Sequence, residues 1–101
     1  MPNHVTRIGI CGAAGRMGRA LIHAVAVRED VKLAAAIERV GNSLIGADAG
    51  EMAALSAMGV KIHSSLADQI DLVDVVIDFS APPATIDNVA LCRQEGKGIV
   101  I

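Results

Sequence analysis

Three glycines spaced Gly12-x-x-Gly15-x-x-Gly18 follow directly on a short apolar run, Val5, Ile8, Ile10 and Cys11, and this junction constrains the fold more than any other stretch. The run suits a strand buried on both faces, and an amphipathic helix starts inside the glycine turn. The spacing is a relative of the G-x-G-x-x-G fingerprint with the middle glycine one place late. Each small residue has a separate use. Gly12 lets the chain turn tightly off the strand, while Ala13, Ala14 and Gly15 leave room for a pyrophosphate to reach the backbone. Gly18 lets the helix pack closely on the sheet. The helix N-terminus then offers unpaired N–H groups and about half a positive charge, which suits a diphosphate. Taken alone, the triplet is a weak signal that also reads as a glycine-rich turn.

An acidic residue about 20 positions on tests that reading. Residues 31–38 (VKLAAAIE) form a short run after the polar turn Arg28-Glu29-Asp30; the alanines also permit a helix, but the run completes a β-α-β unit and reads as a strand. It ends on Glu38, where the pattern places a carboxylate on the adenosine ribose hydroxyls, and Arg39 follows, placed to meet a 2′-phosphate. Without the glycine turn the same two residues would read as a solvated charged pair.

Composition narrows the classes. The 101 residues suffice for one small domain, and 52% hydrophobic against 20% charged residues excludes disorder. A net charge of −2 argues against a general nucleic-acid or anionic-membrane partner. Residues 1–7 are too short and polar for a signal peptide, and no apolar run approaches the ~20 residues of a membrane span. Cys11 and Cys92 lack metal-ligand spacing and read as buried reduced thiols, which places the protein in the cytoplasm and leaves no metal site.

Residues 1–4 read as a frayed start with His4 in solvent. The first helix runs to about residue 27, with Met17, Leu21, Ala24 and Val25 on one face and Arg16, Arg19 and His23 on a solvent face. Residues 41–59 read as a loop with one or two short helical turns, in which Asp48 and Glu51 are solvated charges. Residues 60–63 form a short strand ending on His63, and Ser65-x-x-Asp68 starts a short helix over 66–72. Residues 73–79 form a strand whose end, Asp78-Phe79-Ser80, lies where parallel sheets bind ligands. Phe79 reads alternatively as core, and Asp78 as an anchor for the next loop. Pro82 and Pro83 open a helix marked by Ile86, Val89, Ala90 and Arg93 that Gly96 ends. Residues 97–101 begin another strand. A domain rarely finishes inside a buried strand, so the chain is expected to be cut short. The expected fold is α/β, a Rossmann-like doubly wound parallel sheet with helices on both faces, and residues 1–101 are its NAD(P)-binding domain.

The segments GICGAAGRMGRALI, Glu38-Arg39, SLIGADAGE, VVIDFSAP and CRQEGKGIVI, in this order and spacing, together resemble dihydrodipicolinate reductases over essentially the whole chain. The resemblance implies a cytoplasmic bacterial oxidoreductase of the diaminopimelate route to lysine, usually a homotetramer. It would reduce a cyclic imine-type intermediate with hydride from NADH or NADPH. It further implies that Gly12, Ala13, Ala14, Gly15, Arg16 and Met17 form the diphosphate turn, that Glu38 holds the adenosine ribose and Arg39 the 2′-phosphate, and that Phe79 lies beside the nicotinamide ribose or ring. The family's Gly-Thr-Thr-Gly loop, histidine pair, catalytic lysine and K-x-S-G-T segment are not in these 101 residues. The small-molecule substrate would meet a further C-terminal domain, and no catalytic residue is assigned: His4, His23 and His63 match no catalytic position. Two alternatives stay open, a nucleotide-sensing module without catalysis and the cofactor half of another aspartate-pathway dehydrogenase, such as homoserine or aspartate dehydrogenase. SLIGADAGE and DFSAPP favour the reductase over the second.

Overall fold

A computed structural model describes residues 4–101, so the expected frayed start at 1–3 lies outside the described residues. His4 is largely exposed, its Nε2 3.7 Å from Asp74. The apolar run after it becomes β1 (Thr6–Cys11), but Val5 stays outside, half-exposed. Ile8 and Ile10 face one side of the sheet and Cys11 the other, so β1 is buried on both faces. It pairs in parallel with β2 (Val31–Ile37) and β4 (Val75–Asp78). The strands β3 (Ile62–His63) and β5 (Gly98–Val100) lie outside these, giving the order β3-β2-β1-β4-β5. Helices cover both faces. This is the doubly wound order of a dinucleotide-binding sheet, and its switch point falls between β1 and β4.

On one face, α1 (Arg16–Ala26) and α2 (Ala49–Met52) pack on Ile8, Ile10, Leu33 and Ala36. The other face carries α3 (Leu66–Gln69), which continues as a 3₁₀ turn through Leu72, and α4 (Pro82–Glu95), over Cys11, Ala35, Ile37 and Val76. Fully burying a side chain such as Ile10 or Ile22 is worth roughly 1.5–3 kcal/mol.

Two helix faces differ from expectation. The buried stripe of α1 is Gly18, Ile22 and Val25, at i, i+4 and i+7, whereas Met17 and Ala24 are exposed and Leu21 is only partly covered. The bare backbone at Gly18 brings α1 against the turn and decides which face points inward. In α4, Ile86 is exposed and Cys92 is the buried residue.

The loop at 41–59 is more ordered than its composition suggests, and the reading of Asp48 as a solvated charge is corrected here. Its carboxylate accepts the backbone N–H groups of Glu51, Met58 and Gly59 at 2.8–3.2 Å, capping α2 and closing the loop on itself. These bonds hold the Asp48 carboxyl below its usual range, the Glu51 amide contributing most. Ser65 caps α3 through the Asp68 amide, as its motif predicts. At the amino end of the sheet, Arg7 donates to Asp74 through its amide at 2.8 Å and its guanidinium at 2.8 and 3.3 Å, tying β1 to the approach to β4. No helix among the described residues is long and apolar enough to cross a membrane.

Candidate dinucleotide cleft

The glycine turn is held by backbone bonds that only small residues permit. The amides of Gly12 and Ala13 both donate to Ile37 O, at 2.9 and 3.2 Å, so the turn hangs from the end of β2. Gly12 has φ +78°, and a Cβ there would stand 2.9 Å from the Phe79 carbonyl carbon and oxygen. Gly18 is tighter, since a Cβ would meet the Gly12 carbonyl oxygen and lie 2.6 Å from Ala13 O. Ala13 is fully buried, so it is scaffold rather than surface. Gly15 is the N-cap of α1 and no side chain caps that helix, leaving its first-turn N–H groups open to an anion. Arg16 and Met17 occupy that first turn, exposed and outside the lining of the cleft.

Glu38 does not sit loose at the strand end. Its Oε2 accepts the Ala14 amide at 2.8 Å, bridging 24 residues and laying an acidic group across the turn. Oε1 lies 3.4 Å from the Arg39 amide and 3.5 Å from Asn42 Nδ2. The solvated-pair reading is therefore wrong for Glu38; Arg39 is exposed. Arg19 folds back over the turn, its Nε donating to Ala14 O at 2.9 Å, which sets a second cation beside the helix N-terminus.

Across the switch point, Phe79 is 40% exposed, which settles it as surface of the cleft rather than core. Asp78 is 3% exposed. It accepts the Ser80 amide at 2.7 Å, the Ser80 hydroxyl, and Asn88 Nδ2 at 3.4 Å. Burial pushes this carboxyl up, but the polar groups around it, Ser80 foremost and then Thr85 and Asn88, outweigh that and hold it below its usual value. Together these groups line a cleft of about 440 Å³ over the carboxyl ends of β1, β2 and β4, with Gly12, Gly15, Glu38, Arg39 and Phe79 on its walls. Asn42, Ser64 and Asn88 line it too and were not singled out from the sequence. Ser64 follows β3 directly, so the carboxyl-end rule could have found it; Asn88 lies inside a helix, where nothing local marks it.

A larger hollow of about 590 Å³ lies at the other end, beside the amino ends of β1 and β2. Its arginines are paired with carboxylates, Arg7 with Asp74 and Arg28 with Asp30, and the rest of its lining is apolar apart from Lys32. Cys11 and Cys92 are buried free thiols; burial, then the Asp78 charge, pushes Cys11 up to about 12. His23 Nε2 lies 2.6 Å from Ala53 O, so it ties α1 to α2. Among the described residues no cluster could hold a metal.

A family model described as the N-terminus of dihydrodipicolinate reductase matches residues 6–101. The chain is 54% identical over 97 residues to a 4-hydroxy-tetrahydrodipicolinate reductase of Hahella chejuensis, covering 96% of this chain and 36% of that protein. The chain thus spans about a third of the length of this curated relative. Among solved structures, a dipicolinate-bound dihydrodipicolinate reductase from Paenisporosarcina sp. TG-14 superposes with a TM-score of 0.75 at 22% identity, over 96% of this chain and 37% of that one. An aspartate semialdehyde dehydrogenase with NADP from Candida albicans follows at 0.72 and 14% identity, over 94% and 28%. At these identities the two structures share the fold.

Proposed function

The chain belongs to the dihydrodipicolinate reductase family, in its N-terminal part, and from that membership we propose that it is the NADH- or NADPH-binding portion of a 4-hydroxy-tetrahydrodipicolinate reductase in lysine biosynthesis. The observation that carries the reading is the 2.8 Å bond from the Ala14 amide to Glu38, which sets the carboxylate just after β2 on the glycine turn after β1. The residues fit a dinucleotide. Gly12 and Gly18 leave no room for side chains where the turn closes, and the uncapped start of α1 favours an anion. Glu38 presents acceptors for a ribose diol, and Arg39 supplies the charge a 2′-phosphate needs. Phe79 would flank the nicotinamide half.

When bound, the reduced nicotinamide supplies the hydride. The chain's own residues bind and orient. The turn and the first N–H groups of α1 hold the diphosphate, Arg19 adds charge beside it, and Glu38 and Phe79 fix the two ends. None of the three histidines is placed to protonate a substrate in this cleft: His4 pairs toward Asp74, His23 bonds Ala53 O, and His63 is not among the lining residues. The imine-type substrate and its proton donor are assigned to the longer protein typical of the family, which would act as a homotetramer.

The test is a titration with NADH and NADPH followed by the fluorescence of the reduced nicotinamide, which no Trp or Tyr of this chain obscures. Saturable binding of both, displaced by ADP-ribose, is expected. Absence of saturation by about 1 mM, the upper end of ordinary enzyme affinities, would sink the proposal.

A further inference from the structure

The Asp78 network is built more elaborately than a loop anchor requires. Asp78 closes β4, is nearly fully buried, and takes both the amide and the hydroxyl proton of Ser80 on one oxygen. Its other oxygen faces Asn88 Nδ2, which also lies 3.5 Å from Ser80 Oγ. An ionised carboxylate only accepts, so the Ser80 hydroxyl must point its proton inward, at Asp78. Ser80 Oγ is thereby left as an acceptor, and Ser80 lies in the wall of the cleft beside Phe79. Glu38 marks the other end of that cleft, across the glycine turn. A dinucleotide with its adenosine at Glu38 and its diphosphate at the turn puts its nicotinamide half here.

We propose that Asp78 is a positioning residue that, with Asn88, locks Ser80 Oγ as a hydrogen-bond acceptor for a donor on the nicotinamide half of the dinucleotide, a ribose hydroxyl or the carboxamide NH₂. The inference rests on the dinucleotide reading above. It assigns to β4 and α4 the recognition of one half of the ligand, while β2 recognises the other. Phe79 lies between Asp78 and Ser80, so the same lock fixes where its ring stands. The lowered carboxyl of Asp78 keeps the acceptor arrangement in place across the neutral range.

Asp78→Asn changes only the charge and one acceptor, placing its amide against the Asn88 amide, donor to donor. Losing one such oriented hydrogen bond should weaken NADH about tenfold, while ADP-ribose, which lacks the nicotinamide, should change less than about twofold. The swap Asp78→Asn with Asn88→Asp restores a donor–acceptor pair and should recover most of the NADH affinity. Ser80→Ala removes the acceptor without burying anything new, so it serves if Asp78→Asn folds poorly, and it should show the same NADH-selective loss. In a variant whose far-UV circular dichroism shows it folded, parallel loss of NADH and ADP-ribose binding, or unchanged binding of both, overturns the proposal. A wild-type chain that binds neither ligand overturns the dinucleotide reading itself and this inference with it; a wild type that binds ADP-ribose and variants that show no selectivity overturn this inference alone.

Discussion

Gly15→Ala separates folding from binding in this protein. Gly15 has φ −73° and ψ 172°, a conformation alanine adopts freely, and its added Cβ would meet only Gly12 O, at 3.4 Å. Replacing glycine removes freedom from the unfolded chain and stabilises by about 0.4–1 kcal/mol. Alanine is a poorer N-cap than glycine by an amount on the order of several tenths to 1 kcal/mol. The two nearly cancel, so the melting temperature should move by less than about 4 °C, within what ~0.5 kcal/mol does in a domain of this size. Binding should behave differently, because the methyl group stands in the cleft wall where a diphosphate must reach the backbone. Losing one hydrogen bond to a charged ligand costs about 1.5–3 kcal/mol, so NADH should bind roughly 10- to 100-fold more weakly. Gly18→Ala is the contrast. It gains about 1 kcal/mol of helix propensity, but its Cβ collides with backbone carbonyls that cannot yield, a strain of about 1–3 kcal/mol. Both stability and affinity should fall. Far-UV circular dichroism melts and NADH fluorescence titration read the two quantities. Undiminished NADH binding by Gly15→Ala, or a fall of ten degrees or more in its melting temperature (~10 °C against the ~4 °C allowed), refutes the reasoning.

Arg39→Ala should cost NADPH about 10- to 100-fold and leave NADH nearly unchanged, whereas Glu38→Ala should weaken NADH more than NADPH; equal losses in the paired titrations would count against both roles. Ala54 has φ +64°, a left-handed conformation that costs a non-glycine residue about 1–2 kcal/mol, so Ala54→Gly should raise the melting temperature by a few degrees despite the greater freedom of glycine. The Asp74 carboxyl is held well below its usual range, chiefly by the Arg7 guanidinium and then by the Arg7 amide. A carboxyl lowered in the folded state contributes stability that is full above its unfolded pKa, about 4, and is lost as pH falls through the folded value. Urea unfolding from pH 5 down to pH 2 should therefore show a shallower acid loss for Asp74→Asn than for the wild type. Cys11, pushed up to about 12, leaves about one thiolate in ten thousand at pH 8, so a thiol reagent should label it only after unfolding; prompt labelling of the native chain would contradict its burial.

The strand, the glycine turn, the helix after it and the acidic end of β2 are legible in the residues themselves. Each is a local signal, an apolar run, a glycine triplet, a 3.6-residue period, and a backbone steric rule turns it directly into geometry. The same rules found the Pro82–Pro83 helix start, the Gly96 stop and the Ser65 cap. Only the tertiary structure decided where the polar side chains end. Glu38 reaches Ala14 across 24 residues, Arg7 reaches Asp74 across 67, and Asp48 gathers amides up to 11 residues away. A carboxylate reads identically in a sequence whether it is solvated or bonded, because its partner is chosen by strand order and helix docking rather than by its neighbours. The inward faces of α1 and α4 were settled the same way. Gly18 drew α1 against the turn, and Cys92, not Ile86, met the sheet. Periodicity offers more than one apolar stripe to a helix rich in alanine, and close packing selects one of them.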